Sequence, residues 1–109
     1  MKPMLVRSAE AKPTYVFEGI ARRTLSWGEK VMVIQNTFSP GAGVPDHAHV
    51  HEQISYVVEG SLVVTMEDIT YTLNAGDSLL MPSNQSHSAA APTGAVVIEA
   101  FAPPREDFK

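Results

Sequence analysis

Apolar and polar residues alternate along much of this chain with a period of two, which is the signature of half-buried strands rather than of helices. The alternation is strictest in Ile69-Thr70-Tyr71-Thr72-Leu73. With Leu62 to Met66 before it and Glu67-Asp68 between, this run predicts a hairpin. Lys30 to Phe38 predicts a strand with Val31, Val33 and Gln35 on one face and Met32, Ile34 and Asn36 on the other. Both faces are largely apolar, so that strand is expected to be covered on both sides. Glu52 to Val58 predicts a further strand that Gly60 closes, and Ala95 to Ala102 predicts the last one. Upstream, Tyr15-Val16-Phe17 and Ile20 to Leu25 are β-prone pieces parted by Glu18-Gly19, and Ser26-Trp27-Gly28-Glu29 reads as a turn with an aromatic plug. Met4-Leu5-Val6 lies in an N-terminal arm over residues 1–13, readable as an edge strand or as a segment laid on a neighbouring subunit. No longer stretch carries a period of 3.6, so the chain is expected to be all-β.

Composition narrows the function. A length of 109 residues suits one domain with one packed core. The formal charge of −4, with scattered Lys and Arg, gives no basic stripe and no electrostatic case for nucleic acid. No apolar run is long enough to predict a membrane span, and polar residues by position 7 leave no signal-peptide core. A cytoplasmic protein is the resulting expectation. With no cysteine, disulfides and thiolate chemistry fall away together. Any bound metal must be held by nitrogen and oxygen.

Three of the four histidines, His47, His49 and His51, stand within five residues, and the fourth is His87. Read as a strand, His47-Ala48-His49 puts two imidazoles on one face roughly 7 Å apart along the chain, and curvature can converge them on one ion. Gln53 follows His49 across an expected bend and offers a side-chain oxygen. Further on, Gly76-Asp77-Ser78-Leu79-Leu80-Met81-Pro82 predicts a turn, a short strand and a second turn, after which His87 can return to the same ion. His51, before the bend, is expected to pack or hydrogen-bond at the pocket rim rather than to ligate.

At these residues the sequence resembles the cupins. Their first motif runs Gly, five residues, His-x-His, three or four residues, Glu, six residues, Gly; here Gly41, His47, His49, Gln53 and Gly60 fill it over residues 41–60, with Gln53 in place of Glu. Their second motif runs Gly, five residues, Pro, four residues, His, three residues, Asn; here Gly76, Pro82 and His87 match over residues 76–91, with Ala91 in place of Asn. The resemblance implies a small antiparallel β-barrel, or jelly roll, with one divalent ion in its mouth held by His47, His49, His87 and Gln53. Zn, Mn, Fe, Ni and Co all suit such a donor set.

The last predicted strand adds a second group. Period-two counting places Ala95, Val97, Glu99 and Phe101 on one face; because an unpaired buried carboxylate is costly, that face either looks into a polar cavity or lies wet outside the barrel, and Val97 and Phe101 favour the cavity. Arg105 then reads either as a solvated tail residue or, because Pro103-Pro104 restricts its reach, as a positioned guanidinium suited to gripping a carboxylate with two hydrogen bonds. This ending, together with His-Glu-Gln in the first motif, resembles the pectin-degradation cupins, which carry Asp-x-Phe-x-Pro-x-Arg near the C-terminus. Glu99, Phe101, Pro103 and Arg105 fall on that spacing, with Glu in place of Asp. The resemblance implies conversion of a 4,5-unsaturated uronate to its open-chain keto sugar.

The residues themselves support that chemistry. Three neutral imidazoles and an amide leave a divalent ion its full charge, so it should prefer an anionic, oxygen-rich ligand such as a sugar acid. In this reading Glu99 moves the proton, Arg105 holds the carboxylate and Phe101 packs on the sugar ring. Two alternatives stand beside it. One is a metal-dependent dioxygenase, although the two-His-one-carboxylate iron set is missing; the other is a cupin that binds a small acid without turnover. A homodimer is expected, because exposed strand edges need cover.

Overall fold

The computed structural model describes residues 2–109. Among the described residues, eight strands form one antiparallel sheet that curls into a half-barrel: β1 (Ile20–Trp27), β2 (Met32–Phe38), β3 (Ala42–His47), β4 (Glu52–Met66), β5 (Ile69–Asn74), β6 (Ser78–Met81), β7 (His87–Ala91) and β8 (Ala95–Ala102). The strand order is β1-β2-β8-β4-β7-β3, with β5 and β6 paired to β4 off that path. The all-β expectation holds, and β8 spans the predicted residues.

Strand β4 is the corner of the sheet. Gly60 does not close it, as expected from the sequence, because β4 continues to Met66. Its first half pairs with β8 and β6, and its second half with β5 and β7. A register shift between Val57 and Glu59 and a φ of +75° at Gly60 turn the strand without ending it. A Cβ at Gly60 would lie 2.1 Å from the Gly94 carbonyl oxygen, so only glycine lets the two backbones approach this closely. At the predicted hairpin, Glu67 and Asp68 both take positive φ, the pairing that matches the twist of two-residue hairpins.

Several local expectations change. Tyr15, Val16 and Phe17 form no strand; only Thr14 makes an isolated bridge to Arg22. Trp27 ends β1 instead of sitting in a turn, and packs with Met32, Ile34, Phe101 and Phe108 in a small cluster. Strand β2 is buried only on the Met32, Ile34, Asn36 and Phe38 face; Val33 and Gln35 are half-exposed and Val31 is exposed, so the second face is not covered. The N-terminal arm runs along its own chain, where the Ser26 hydroxyl donates to the Met4 carbonyl at 3.0 Å. Residues Ser8–Glu10 form a short 3-10 turn.

The main core fills the inside of the curl, around Ile20, Phe38, Val57, Leu62, Val64 and Val97. Burying side chains of this size contributes about 1.5–3 kcal/mol each. The core does not close the barrel completely. A cavity of about 500 Å³ remains, apolar where Ile20, Phe38, Val44, Leu62 and Val64 line it and polar where it meets the histidines. Among the described residues, no helix is long and apolar enough to cross a membrane.

Candidate metal and acid-binding site

Strand pairing brings the histidines together. His47 at the end of β3 stands opposite His87 at the start of β7, and their rings lie 4.4 Å apart. His49 is not in a strand, contrary to the reading of His47-Ala48-His49 as one extended piece: β3 ends at His47. Residues 49 and 50 are fixed instead by the turn after β6. The Asn84 N–H donates to the His49 carbonyl at 2.7 Å and the Ser83 hydroxyl to the Val50 carbonyl at 2.5 Å. The His49 ring thereby comes 5.1 Å from that of His87 and 5.6 Å from that of His47. One ring nitrogen from each of the three lies within 4.8 Å of the others.

These imidazoles fit a divalent ion. Each Nδ1 faces a backbone carbonyl: His47 that of Pro45 at 2.9 Å, His49 that of His51 at 2.9 Å and His87 that of Gln85 at 3.0 Å. An Nδ1–H donated there fixes the tautomer and leaves each Nε2 as a lone-pair donor, the usual outer-sphere arrangement for ligating histidines. The Nε2 of His87 is buried and has no hydrogen-bond partner among the described residues. Such an orphan costs about 1–3 kcal/mol, which coordination would remove. His49 Nε2 also lies 2.9 Å from the Gln53 side-chain oxygen. A neutral imidazole has one N–H to give, so His49 cannot satisfy both carbonyls. If its Nε2 and the Gln53 oxygen turn instead to a shared ion, the conflict disappears.

Burial lowers the pKa of His49 and of His87, and the charge of Arg105 lowers that of His49 further. Both rings are therefore held neutral, the form that ligates. His51 is not among the three histidines whose nitrogens converge; its ring packs 5.6 Å from that of His49 and 6.5 Å from that of Phe101.

Glu99 sits on the inward face of β8 and is 8% exposed. The register places it opposite Ser55 of β4 and Ile34 of β2. Three donors hold its carboxyl group: Gln53 Nε2 to Oε1 at 2.6 Å, Ser55 Oγ to Oε1 at 2.6 Å and Asn36 Nδ2 to Oε2. Gln53 thus spans the site, with its oxygen beside His49 and its NH2 on Glu99. Phe101, 2% exposed, lines the same pocket and packs edge-on against His49 at 5.8 Å. Pro104 is buried and anchors the tail, so that Arg105 reaches back into the pocket with its side chain 16% exposed. There the guanidinium lies 4.0 Å from the Phe108 ring centroid and 5.3 Å from that of Phe101. It donates to both carboxylate oxygens of Asp107, at 3.3 and 3.1 Å. Burial raises the Asp107 pKa, but the Arg105 contact outweighs it and the net shift is downward.

The pocket also contains residues that sequence reasoning passed over. Asn36 and Ser55 share the inward parity of Ile34 and Val57, and a polar residue at such a position in an apolar strand is itself a signal. Arg22 and Asp107 line the pocket too. Their places depend on long-range pairing and on the short C-terminal 3-10 turn Glu106–Phe108, which spacing alone does not give.

Known proteins match this architecture. The cupin domain family matches residues 36–101. The pectin degradation protein KdgF of Dickeya dadantii (strain 3937) is 34% identical over 93 residues, covering 84% of each chain. The structure of KdgF from Halomonas sp. superposes with a TM-score of 0.93 at 30% identity, over 99% of this chain and 100% of that one. An RmlC-like cupin from Shewanella frigidimarina NCIMB 400 superposes with a TM-score of 0.92 at 34% identity, over 99% of this chain and 97% of that one. On the histidine trio, the corner strand and these matches, the chain belongs to the cupins and within them stands close to KdgF.

Proposed function

We propose that this protein is a metal-dependent cupin enzyme that converts a 4,5-unsaturated uronate to its open-chain keto form. The observation that carries the reading is Glu99, a nearly buried carboxyl group held by three donors in the pocket that His47 and His87 of the histidine trio also line. The likeness to a pectin degradation protein supports the choice of substrate class. His47, His49, His87 and Gln53 would hold the ion, which when bound supplies Lewis acidity and a seat for substrate oxygens.

The chain's own residues perform the rest. Arg105 turns its two-pronged guanidinium to the uronate carboxylate. Phe101 keeps His49 in place and gives the sugar an apolar wall. Opening the hemiacetal ring frees an aldehyde and an enol; moving the enol proton from oxygen to carbon 4 then makes the ketone. The formula is unchanged and no electron is gained or lost. Glu99 carries that proton, and Gln53, Ser55 and Asn36 hold its two oxygens at fixed positions while it does so.

The test follows the loss of the conjugated double bond by ultraviolet absorbance. Glu99→Gln should keep metal and saturated-uronate binding while turnover falls by a factor on the order of 10² to 10⁴. The substitution is structurally tolerable, because Asn36 can rotate its unpartnered Oδ1 toward the new amide. Arg105→Ala should weaken uronate binding by roughly 1.5–3 kcal/mol. A metal-loaded protein that leaves unsaturated uronates untouched would overturn the proposal, and the small-acid binding reading would take its place.

A further inference from the structure

Arg22 faces inward from β1. The register sets Ile20 opposite Phe38, Arg22 opposite Asn36 and Thr24 opposite Ile34, and all three of these β2 residues are buried. The backbone of Arg22 is fixed on its other side as well, through hydrogen bonds of 2.8 and 2.9 Å with Thr14. An arginine at an inward position of a curled sheet pays desolvation, and burial lowers its pKa. Its Nε is buried without a hydrogen-bond partner, and no carboxylate is in salt-bridge contact with it among the described residues. This is a cation placed in the pocket wall with no carboxylate of the described residues in direct contact.

A second cation, Arg105, packs against the same aromatic ring as Arg22. The Arg22 guanidinium lies 3.9 Å from the Phe108 ring centroid and that of Arg105 lies 4.0 Å from the same centroid. Thr24 donates its hydroxyl to the Phe108 carbonyl at 2.5 Å, which ties the C-terminal turn to β1 and holds the two arginines in this relation. Asp107 also lines the pocket; its carboxylate takes both prongs of Arg105, and its charge acts on Arg22 as well. A two-pronged carboxylate on Arg105 is the contact a uronate would make. Here the chain's own carboxylate makes it, from a side chain 62% exposed and free to leave.

We propose that Arg22 and Arg105 together form a two-guanidinium seat for the substrate carboxylate, with Asp107 as the internal carboxylate that the substrate displaces. The inference rests on the acid-sugar reading of the pocket and adds to it a specificity residue outside both cupin motifs. An incoming uronate takes the fork of Arg105 and comes under the charge of Arg22 in the pocket wall, while Asp107 swings outward to water. Neutral sugars gain nothing from the exchange, because they would separate Asp107 from Arg105 without replacing its charge. Acids are selected twice, once by attraction and once by this cost.

Calorimetric binding of D-galacturonate and of its methyl ester to metal-loaded protein tests the seat, since neither saturated compound needs to be turned over. Arg22→Gln is expected to weaken galacturonate binding roughly tenfold to a hundredfold and to leave the ester unchanged. Arg22→Lys, which keeps the charge and loses the fork, should fall between. Asp107→Asn should tighten galacturonate binding severalfold. Metal content and circular dichroism matching the wild type will show that each variant is folded. If Arg22→Gln binds galacturonate like the wild type, or loses acid and ester alike, the seat is wrong while the proposed enzyme stands. If the wild type itself fails to prefer the acid over the ester, both fall. Should Arg22→Gln fail to fold, Asp107→Asn decides: galacturonate affinity unchanged or weakened overturns the proposal.

Discussion

Gln53 and Glu99 are joined by a hydrogen bond of 2.6 Å in which the amide donates to the carboxyl group. The same amide turns its oxygen toward His49 at 2.9 Å. One planar side chain therefore connects the histidine trio to the acid on β8. This geometry accounts for glutamine at a motif position where cupins usually carry glutamate. A glutamate there would set one carboxylate against another at hydrogen-bond distance, and two like charges so close cannot both remain ionised.

Gln53→Glu is accordingly expected to separate metal binding from catalysis. The added carboxylate is a better metal ligand than an amide, so metal content should be kept or raised. Glu99, having lost a donor and gained a rival, should lose turnover by at least about tenfold. Metal analysis with steady-state kinetics checks both halves. Wild-type turnover in this variant would mean that the Gln53 to Glu99 contact has no part in proton transfer.

Much of this site was legible in the sequence because strands obey a simple parity. Counting by two put Glu99 and Phe101 on one face with Val97, and these residues are buried together. Motif spacing singled out His47, His49, Gln53 and His87, and the ring nitrogens of the three histidines lie within reach of one ion. What parity cannot supply is which strands pair. Asn36 and Ser55 reach Glu99 only because β2 and β4 flank β8. Arg22 belongs to the pocket only because β1 follows β2 in the curl. Gly60 misled for a local reason: glycine with positive φ ends many strands, but here it bends one that continues.

Gly60→Ala follows from that bend. The new Cβ would meet a backbone carbonyl oxygen at 2.1 Å, not a flexible side chain, and the residue would also keep a left-handed φ of +75°. Both penalties act on the folded state, and together they should cost upwards of about 2 kcal/mol. Chemical denaturation of the metal-free protein will measure this. The corresponding substitution at Gly41, which has φ +84° but nothing within 4 Å of the added methyl, should cost less. Equal losses at the two positions would show that the Gly94 contact yields easily.

A homodimer is an expectation from the sequence, and the outer face of the sheet offers it an exposed apolar surface. Ile54, Tyr56, Val58 and Leu80 are 44–48% exposed. Pairing joins them into one patch, with Ile54 beside Leu80 on β6 and Tyr56 beside Ile98 on β8. We propose that a second copy covers this patch, since a two-fold contact presents the same self-complementary surface from both partners. Tyr56→Arg should then dissociate the dimer without unfolding either subunit. Sedimentation at micromolar concentration gives the answer, and a monomeric wild type would reject the assignment.

Acid should destabilise the metal-free protein near neutrality, before its carboxylates titrate. Burial holds the folded-state pKa values of His49 and His87 below their ordinary 6.5. Between those depressed values and 6.5 the unfolded chain binds more protons than the native one, so stability rises with pH across that window. The contribution is complete above about 6.5 and is lost as the pH falls through the folded-state values. Asp107 acts with the same sign but lower on the scale, because its pKa is depressed below the ordinary carboxyl value of 3.8. Melting temperatures taken with a chelator from about pH 8 to pH 5 should therefore decline below about pH 6.5. The decline should be shallower in His87→Asn, which removes one of the two responsible rings. Bound metal should delay it, because protons must compete with the ion for the same nitrogens. A flat profile in the metal-free wild type would mean that the imidazoles are not held neutral by burial, and that they are less ready to take up an ion than their buried setting implies.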